Sequence, residues 1–536
     1  MNGLKALGEV RAYCANIAGQ FCLQDASIRN AGGGVLSFDG ASIFGGAYLD
    51  GLTASGKVRA IGAHIEGQLG LQGAIIKNAE GDALNLDGIA VMGDAYLGDL
   101  ETEGKVRAIG AHIDGQLDLR AASLRGPTET ALNLNQATIK GGAFLDHLKT
   151  EGEVRAIGAH IEDYLGFQEA IINNAGGDAL SLDGATITGR TVLNALEANG
   201  KVRAIGTHIY GQLDLRKATI LNPKATALQL NHATVNGAAF FEGLRAEGEV
   251  QAAGVHIDGQ LDLRKATLKN PAGTALNLES ASIGTLSLGW ECVMEGRMNL
   301  DFASIQMLSS GEKGPHGRLP PLEGAQGWRV QALNGFLRTD VKAAIEWLNT
   351  IDAKVPKAGK EFAAQPWKEM SGLYDQIGQP EDALHLRFQA AQQITKIVPF
   401  RSKLLRWPYG ALVGYGYYPF RALIWLAALW LVVFGCCLTQ PRAFTSNESS
   451  VAAINNNLPK VSRITGETET PEGYPQFSPA LYATDIAIPA AATGQEDIWR
   501  LTENNGLLVL FAVIKGFGWL LTVLLLAGVT GILRKD

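Results

Sequence analysis

Apolar and polar residues alternate in short, regular runs through the first 300 positions of the chain. One such run carries its apolar residues at Val58, Ala60, Ala63, Ile65, Leu69 and Leu71. Alternation with a period of two predicts short strands that bury one face and expose the other. The 3.6-residue pattern of an amphipathic helix does not occur in this part of the sequence, so we expect it to be built from β-strands.

The same pattern recurs along the chain with a fixed period of 48 residues. The string Gly-x-Val-Arg-Ala-Ile-Gly-Ala-His-Ile returns with little change, and its valine stands at Val10, Val58, Val106, Val154, Val202 and Val250. Within each copy the alternation appears twice, because the run beginning at Val58 aligns with a second run that begins at Leu84. The next copy begins at Val106, so the basic unit has about 24 residues.

Units of this length that hold several short strands and stack on near-copies of themselves are typical of a parallel β-helix. We therefore predict a mainly β fold, a solenoid of about 12 coils formed by six 48-residue repeats over residues 1–308. Glycines and the pairs Asp87-Gly88 and Asp183-Gly184 are expected at coil corners, where the backbone needs positive φ. At a strand spacing of about 4.8 Å the solenoid would be roughly 60 Å long.

The alternation also identifies side chains that point outward, and the repeat arranges them in ladders. One ladder interleaves aromatic rings and carboxylates, at Tyr48, Tyr96, Phe144, Phe240, Asp118, Asp214 and Asp262. Repeated exposed rings enlarge an apolar surface and mark binding faces. This ladder is therefore our candidate interaction face, for a protein partner or for self-association. Simple duplication of the repeat is the alternative explanation.

Composition and motifs argue against several classes of function. The formal charge of −7 provides no basic footprint for nucleic acid. Five cysteines fit no disulfide framework or Cys-x-x-Cys spacing, and equivalent histidines recur every second coil, about 9.6 Å apart, which is too far to share a metal. Phosphate-binding, hydrolase and metalloprotease motifs do not occur. We expect no metal, no cofactor and no small-molecule substrate.

A β-helix that cleaves polysaccharides is the weakest alternative. Such enzymes use two carboxyl groups about 5–9.5 Å apart. Asp118 has Tyr96 and Phe144 as its equivalents in the coils on either side, so we expect no such pair around it.

The alternation stops near Leu308, and the second part of the chain has helical patterning. Residues 309–337 contain Gly-Pro and Pro-Pro pairs, which predict a linker. In residues 338–400 Asp340 is a plausible helix N-cap, and Pro366 and Pro380 stand at two further helix starts. We predict a small α-helical adaptor that contains a hairpin of the tetratricopeptide type.

Residues 401–536 have the pattern of a membrane domain. Two long apolar runs predict transmembrane helices at about 420–438 and 510–533. Lys515 interrupts the second run, and we expect it to extend to the interface, with a pore or pairing role as the alternative. The intervening segment 439–505 holds four Lys/Arg and eight Asp/Glu, whereas basic residues flank the outer ends of both spans. By the positive-inside rule this segment is extracytoplasmic, and the solenoid and C-terminus are cytoplasmic. The lack of a signal-peptide pattern at the N-terminus agrees with that orientation.

Three segments resemble a group of bacterial proteins. They are Gly414-Tyr-Gly-Tyr-Tyr-Pro-Phe-Arg-Ala422, Gly518-Trp-Leu-Leu-Thr522 and Phe477-Ser-Pro-Ala-Leu-Tyr-Ala-Thr-Asp-Ile-Ala-Ile-Pro489, together with the Gln-Pro-Trp start of one helix. The chain resembles bacterial membrane-anchored proteins that join a pentapeptide-repeat-like β-solenoid to a C-terminal domain with two transmembrane helices. The resemblance implies a multi-pass protein of the cytoplasmic (inner) membrane. Some members are labelled membrane-associated oxidoreductases, a label that no residue here supports.

Two functional hypotheses follow from these patterns. The first is a non-enzymatic, membrane-anchored scaffold that presents its cytoplasmic solenoid to a protein partner. The second is a channel-like protein, because two spans bracketing the segment 477–489 outline a re-entrant pore. In that case Phe477, Tyr482, Asp485 and Lys515 are the candidate pore or interface residues. Against the channel, the segment lacks the carbonyl filter motif of potassium channels.

Overall fold

The computed structural model describes residues 1–314, 319–352, 362–447, 475–488, 491–501 and 505–530. The chain divides into two compact units, Met1–Ala383 and Leu384–Asp536. The first unit contains a parallel β-solenoid of about 13 turns over residues 5–334, which confirms the predicted fold class. Among the described residues of this unit, the strands form a 15-stranded sheet and a 24-stranded sheet.

One side of each coil is a strand of the 15-stranded sheet. Alternate coils contribute long strands: Ser27–Ser37, Ile75–Asn85, Ser123–Asn133, Ile171–Ser181, Thr219–Gln229 and Thr267–Asn277. The coils between them contribute shorter strands: Thr53–Arg59, Glu101–Arg107, Lys149–Arg155, Glu197–Arg203, Arg245–Gln251 and Val293–Asn299. The sheet begins with Lys5–Leu7 and Val10–Arg11 and ends with Leu322–Gly324.

The rest of each coil consists of two short strands of the 24-stranded sheet, separated by a bend. In the first coils they are Asn16–Ile17, Phe21–Cys22, Ser42–Ile43, Ala47–Tyr48, His64–Ile65, Leu69–Gly70, Ala90–Val91, Ala95–Tyr96, His112–Ile113, Leu117–Asp118, Thr138–Ile139 and Ala143–Phe144. They continue as His160–Ile161, Tyr164–Gly166, Thr186–Ile187, Arg190–Val192, His208–Ile209, Leu213–Asp214, Thr234–Val235 and Ala239–Phe240. In the last coils each pair becomes one strand, at His256–Asp262, Ser282–Ser287, Ser304–Ser309 and Arg329–Asn334.

The strand register reproduces the unequal spacing of the sequence repeat. Leu84 pairs with Val58 of the preceding coil and with Val106 of the following coil, and the first step along the chain is longer than the second. A bulge takes up the difference, because Lys77 pairs with Glu103 whereas Leu84 pairs with Val106. A longer strand therefore pairs in parallel with a shorter strand on either side.

Glycines stand at the corners for two different reasons. Gly73 and Gly88 have φ values of 62° and 64°, which lie in the left-handed region expected for a tight turn. At Gly67 the constraint is close stacking, since a Cβ there would lie 2.7 Å from the backbone nitrogen of Gly46 in the preceding coil. Inside the corners the core consists of stacked aliphatic side chains that are almost entirely buried, such as Ile65 and Leu71.

The solenoid ends about one coil later than residue 308, where the sequence pattern had placed its end. Leu322–Gly324 and Arg329–Asn334 lie in the predicted linker 309–337, yet they pair in parallel with the preceding coil. The repeat string has disappeared there, but the spacing persists, because the step from Ser304 to its partner Arg329 is similar to the steps of the earlier coils. Pro320 and Pro321 are compatible with this coil because they precede the strand rather than interrupt it.

Helices cover the last coil. After a 3₁₀ turn at Phe336–Arg338, α1 (Val341–Asp352) and α2 (Ala364–Gln376) follow, with Asp340 accepting the N–H of Ala343 at 3.1 Å as the predicted N-cap. The N–H groups of Leu322, Gly327 and Val330 in the last coil donate to side chains of these two helices. α3 (Pro380–Ile397) begins at the predicted proline. The comparison with a tetratricopeptide hairpin stays a prediction.

The second unit consists mostly of helices. α3 is followed by α4 (Phe400–Val413), α5 (Arg421–Thr439), α6 (Pro479–Ala487), α7 (Gln495–Ile498) and α8 (Asn505–Val529). Two short strands, Phe444–Ser446 and Trp499–Leu501, pair antiparallel between α5 and α8. Among the described residues α5 and α8 are the two helices that are long and apolar enough to span a membrane. They coincide with the predicted spans, of which positions 531–533 lie outside the described residues.

Candidate functional site

The predicted interaction face is one continuous ladder on the short-strand side of the solenoid. The strand register places Tyr48, Gly70, Tyr96, Asp118, Phe144, Gly166, Val192, Asp214, Phe240, Asp262 and Ser287 on successive coils. All seven solenoid residues selected from the sequence therefore belong to it. The four rings are half-buried, and the three carboxylates are buried.

Each of the three aspartates is covered by the arginine that follows it in the tripeptide Asp-Leu-Arg. In the first pair Arg120 donates from Nε to Asp118 Oδ1 at 2.9 Å and from a terminal nitrogen to Oδ2 at 2.6 Å. Arg216 engages Asp214, and Arg264 engages Asp262, with the same two-point geometry. The group presented to solvent is the guanidinium, since the Arg264 side chain is 54% exposed and that of Asp262 only 2%. Here the candidate surface differs from the expected ladder of outward-pointing rings and carboxylates, because arginines cover the carboxylates.

The pKa of Asp118 reflects this pairing. Burial alone would raise it, but hydrogen bonds from the Arg120 side chain and backbone, with the positive charge, lower it below the usual value. Asp118 therefore remains ionised at neutral pH and carries a strong, charge-assisted link to Arg120.

Two of these arginines also lie over a ring of the following coil. The guanidinium carbon of Arg120 is 5.7 Å from the centre of the Phe144 ring, and that of Arg216 is 5.4 Å from the Phe240 ring. These distances are within the range of cation–π attraction. We call the strip formed by the four rings and Arg120, Arg216 and Arg264 the aromatic–arginine face.

Sequence reasoning missed the arginines and one aromatic residue of this face. The tripeptide Asp-Leu-Arg occurs at 118–120, 214–216 and 262–264, so a comparison of neighbouring positions in the repeat would have revealed the arginines. Tyr164 replaces the glutamine found at Gln116 and Gln212, and its ring centre lies 5.0 Å from that of Phe144. It thereby fills the gap in the ladder left by Gly166.

The carboxylates of this face are not arranged as an acid–base pair. Asp118 and Asp214 are separated by four coil steps, about 19 Å, which exceeds the distance used in glycoside hydrolysis. Asp214 and Asp262 are two steps apart, about 9.6 Å, and each is held by its own arginine.

The histidines form the separate ladder expected from the repeat. His112 lies 2.9 Å from Asp114, and His256 lies 2.8 Å from Asp258; each aspartate follows its histidine by two residues. His208 instead contacts Asn236 at 3.0 Å. In the part of the chain that the structure describes, no group of three or more metal-ligating side chains comes together.

The four candidate residues of the membrane domain come together between α5 and α8. The short helix α6, which carries Tyr482 and Asp485, packs against both of those helices. Asp485 is 7% exposed and accepts N–H groups of Thr493, Gln495 and Glu496 at 2.5, 2.8 and 3.1 Å. The Glu496 side chain in turn binds Lys515 of α8 at 2.5 Å. Lys515 therefore forms an ion pair, and its role at the interface or in a pore stays a prediction.

An aromatic cluster surrounds this polar network. The ring centre of Phe477 lies 4.6 Å from that of Phe444 and 5.5 Å from that of Trp499, and Tyr482 is 6.3 Å from Phe511 of α8. These rings join the short strands, α6 and α8 into one buried core. Chemically, the arrangement holds the described parts of the segment between the two apolar helices, 475–488 and 491–501, together as a folded cap. The end of the predicted re-entrant segment, at position 489, lies outside the described residues.

Comparisons with known proteins add no relative to these observations: no protein-family model matches the chain, and neither curated proteins nor solved structures give a significant match.

Proposed function

We propose that the protein is a non-enzymatic, membrane-anchored scaffold that presents a cytoplasmic β-solenoid to a protein partner. The observation that carries this proposal is that α5 and α8 are strongly apolar and yet mostly unburied within the chain. Both have a mean hydropathy of 2.3, yet only 22% and 28% of their most apolar stretches are buried within the chain. A core helix of a soluble protein buries its apolar surface, whereas these helices leave most of it available to lipid.

The aromatic–arginine face is the surface that we assign to the partner. Aromatic and arginine side chains are enriched in protein interfaces and dominate their energetics. The paired arginines are held in place by Asp118, Asp214 and Asp262, so little side-chain freedom remains to be lost on binding. A partner with acidic and apolar groups would complement this face.

The orientation rests on charge. Arg401, Lys403 and Arg406 precede the first span, and Arg534 and Lys535 follow the second. Basic flanks remain on the cytoplasmic side, so the solenoid is assigned to that side as well. The resemblance to bacterial membrane-anchored solenoid proteins supports the inner membrane as the location.

The test combines membrane extraction with recovery of partners after crosslinking in native membranes. The full-length chain should resist alkaline carbonate, and replacement of Tyr96, Phe144 and Phe240 by serine should abolish recovery of the crosslinked partner. The matched control replaces three exposed apolar residues off the ladder, Phe44, Met92 and Tyr210. Equal recovery with both triple variants would contradict the proposed face.

A channel is the second candidate, favoured by the packing of α6 between the two spans. Such a short helix between spans is the outline of a pore helix, but Tyr482 and Asp485 are engaged in the core of the cap rather than free to line a pore. Purified protein in planar bilayers tests this candidate. Ionic current that is altered by Lys515→Gln would favour the channel over the scaffold.

A further inference from the structure

A cleft opens in the second unit between the end of α3, α4 and the start of α5. Its volume is about 950 Å³. One wall is formed by Phe388 and Lys396 of α3, and the other by residues of α4. Arg421, the first residue of the first candidate span, also lines it.

The α4 wall is an apolar stripe. Phe400, Leu404 and Trp407 are spaced at i, i+4 and i+7, so they lie on one face of the helix. Their exposed fractions are 78%, 67% and 72%, which is unusual for three large apolar side chains on one helix face. The stripe is close to the span along the chain, since α4 ends at Val413 and α5 begins at Arg421.

The charge of the cleft is entirely positive. Lys396, Lys403 and Arg421 line it, and no acidic side chain does. From residue 383 to residue 447 the sequence contains seven Lys/Arg and no Asp/Glu. Within the described residues neither Lys396 nor Lys403 has an acidic partner. These two ammonium groups are therefore available to an anion.

Arg421 is held in a fixed position at the N-terminus of α5. Its guanidinium carbon lies 5.0 Å from the ring centres of both Phe388 and Tyr418. Stacking of this kind orients the guanidinium without neutralising its charge. A cation at the basic end of a span stands at the depth of lipid headgroups.

We propose that this cleft binds one anionic phospholipid of the cytoplasmic leaflet, with the phosphate at Lys396, Lys403 and Arg421 and an acyl chain along Phe400, Leu404 and Trp407. The inference rests on the proposed membrane placement of α5. Charge complementarity and the continuity of the stripe with the span select a lipid as the occupant. A soluble anion would leave the apolar wall uncovered, and a second copy of this basic segment would be repelled.

The test uses the full-length protein in mixed micelles with brominated lipid, which quenches nearby tryptophan fluorescence. Subtracting the signal of Trp407→Phe isolates Trp407 from the other eight tryptophans. We expect brominated phosphatidylglycerol to quench Trp407 at lower mole fractions than brominated phosphatidylcholine. The double variant Lys396→Gln/Lys403→Gln should lower the apparent affinity for phosphatidylglycerol, obtained from the quenching curve, about 30-fold. This is the loss expected from two lysines that contribute about 1 kcal/mol each.

The matched control is Arg401→Gln/Arg406→Gln, which removes the same charge from α4 at positions that do not line the cleft. We expect a clearly smaller loss than with the lysine variant. Equal loss from both variants, equal quenching by the two lipids, relief of quenching by inorganic phosphate, or a change of oligomeric mass in the lysine variant would each overturn the lipid site. Release of the wild-type chain by alkaline carbonate would instead overturn the membrane placement itself.

Discussion

At one set of coil corners, a single aspartate or asparagine side chain links a coil to the next one at every second coil step. Asp39 Oδ1 accepts the N–H of Ile61 at 2.8 Å, and Asp87 Oδ1 accepts that of Ile109 at 2.9 Å. Asn135 does the same for the N–H of Ile157. These N–H groups lie in turns, so the side chain satisfies a backbone donor that the strand ladder does not reach. In the Asp-Gly pairs of the repeat, the glycine forms the turn and the aspartate connects the coils.

The first prediction tests this link at Asp87. Replacement by alanine should lower the free energy of unfolding of the solenoid by about 1 kcal/mol, because the N–H of Ile109 loses its acceptor. Asp87→Asn keeps the acceptor and loses only the half-exposed ion pair with Arg107, so we expect it to retain most of the stability. Urea unfolding followed by circular dichroism measures both variants. An asparagine variant as unstable as the alanine variant would show that the ion pair, and not the backbone link, matters.

The second prediction concerns Glu153, which is 8% exposed. Burial raises its pKa above 4.5, although hydrogen bonding to Ser181 and the charge of Arg155 oppose the shift. The folded chain therefore binds a proton that the unfolded chain releases, so this group's contribution to stability is lost as the pH rises from 4.5 through the raised pKa. Glu153→Gln should raise the urea midpoint at pH 7 and leave it nearly unchanged at pH 4. An equal change at both pH values would contradict the pKa shift.

At the scale of the strand, the alternation of long and short strands depends on a glycine opposite each bulge. Asn78 closes one bulge by donating from Nδ2 to the carbonyl of Asp82 at 2.7 Å. Opposite it Gly104 has φ 130°, and a Cβ there would lie 2.5 Å from the carbonyl oxygen of Asn78. The same arrangement recurs at Gly200 opposite Asn174.

The third prediction compares two glycines of one coil. Gly104→Ala should destabilise the solenoid by roughly 3 kcal/mol, because both the φ value and the carbonyl of Asn78 oppose a methyl group. Gly110→Ala in the following corner should cost only about 1 kcal/mol, since nothing lies within 4 Å of its Cβ position and Ala121 adopts the same left-handed φ elsewhere. Urea unfolding of the two variants under identical conditions measures the difference. Similar costs would mean that the bulge adapts to a side chain.

The helices after the solenoid act on its last edge. An unpaired strand edge invites association with other chains. Here two side chains of α2 accept the free N–H groups of the edge. Gln365 accepts the N–H of Gly327 at 3.0 Å, and Glu369 accepts that of Val330 at 3.1 Å. Trp347 of α1 also donates to the carbonyl of Pro320 at 2.8 Å. The adaptor predicted from the sequence thus has a definite structural role as an end cap.

The fourth prediction tests that cap by hydrogen exchange. The double variant Gln365→Ala/Glu369→Ala should increase the exchange rates of the Gly327 and Val330 amides about tenfold or more, the effect of losing more than about 1.4 kcal/mol of local stability. Lys368→Ala, an exposed position on the same helix, is the control and should leave them unchanged. Amides in the central coils should keep their protection in both variants. Unaltered exchange at Gly327 would show that the edge does not need these side chains.

For the molecule as a whole, the sequence predicted the features that repeat and missed those that occur once or depend on contacts. The repeat string recurs strictly from Val10 to Val250, and each copy has the same alternation of apolar and polar residues. The solenoid could therefore be predicted from the sequence. The last coil at Arg329–Asn334 escaped detection because it has the spacing without the repeat string. The register confirms the ladder through Phe144 and Phe240, whereas its role as an interaction face stays a prediction. The covering of Asp118 by Arg120 is a matter of side-chain direction that alternation does not encode.

The orientation of the chain in the membrane decides which solution the aromatic–arginine face meets, and it supplies the fifth prediction. Cys14 is exposed in the solenoid, and Gln476 is exposed in the segment between the spans. In intact cells a membrane-impermeant maleimide should label a Gln476→Cys variant but not Cys14, because in the proposed orientation the solenoid lies on the cytoplasmic side, with the basic flanks. Cys14 should react only after lysis, and a variant lacking Cys14 identifies its signal among the remaining cysteines. Labelling of Cys14 in intact cells would indicate the opposite topology, in which the solenoid meets partners outside the cytoplasm.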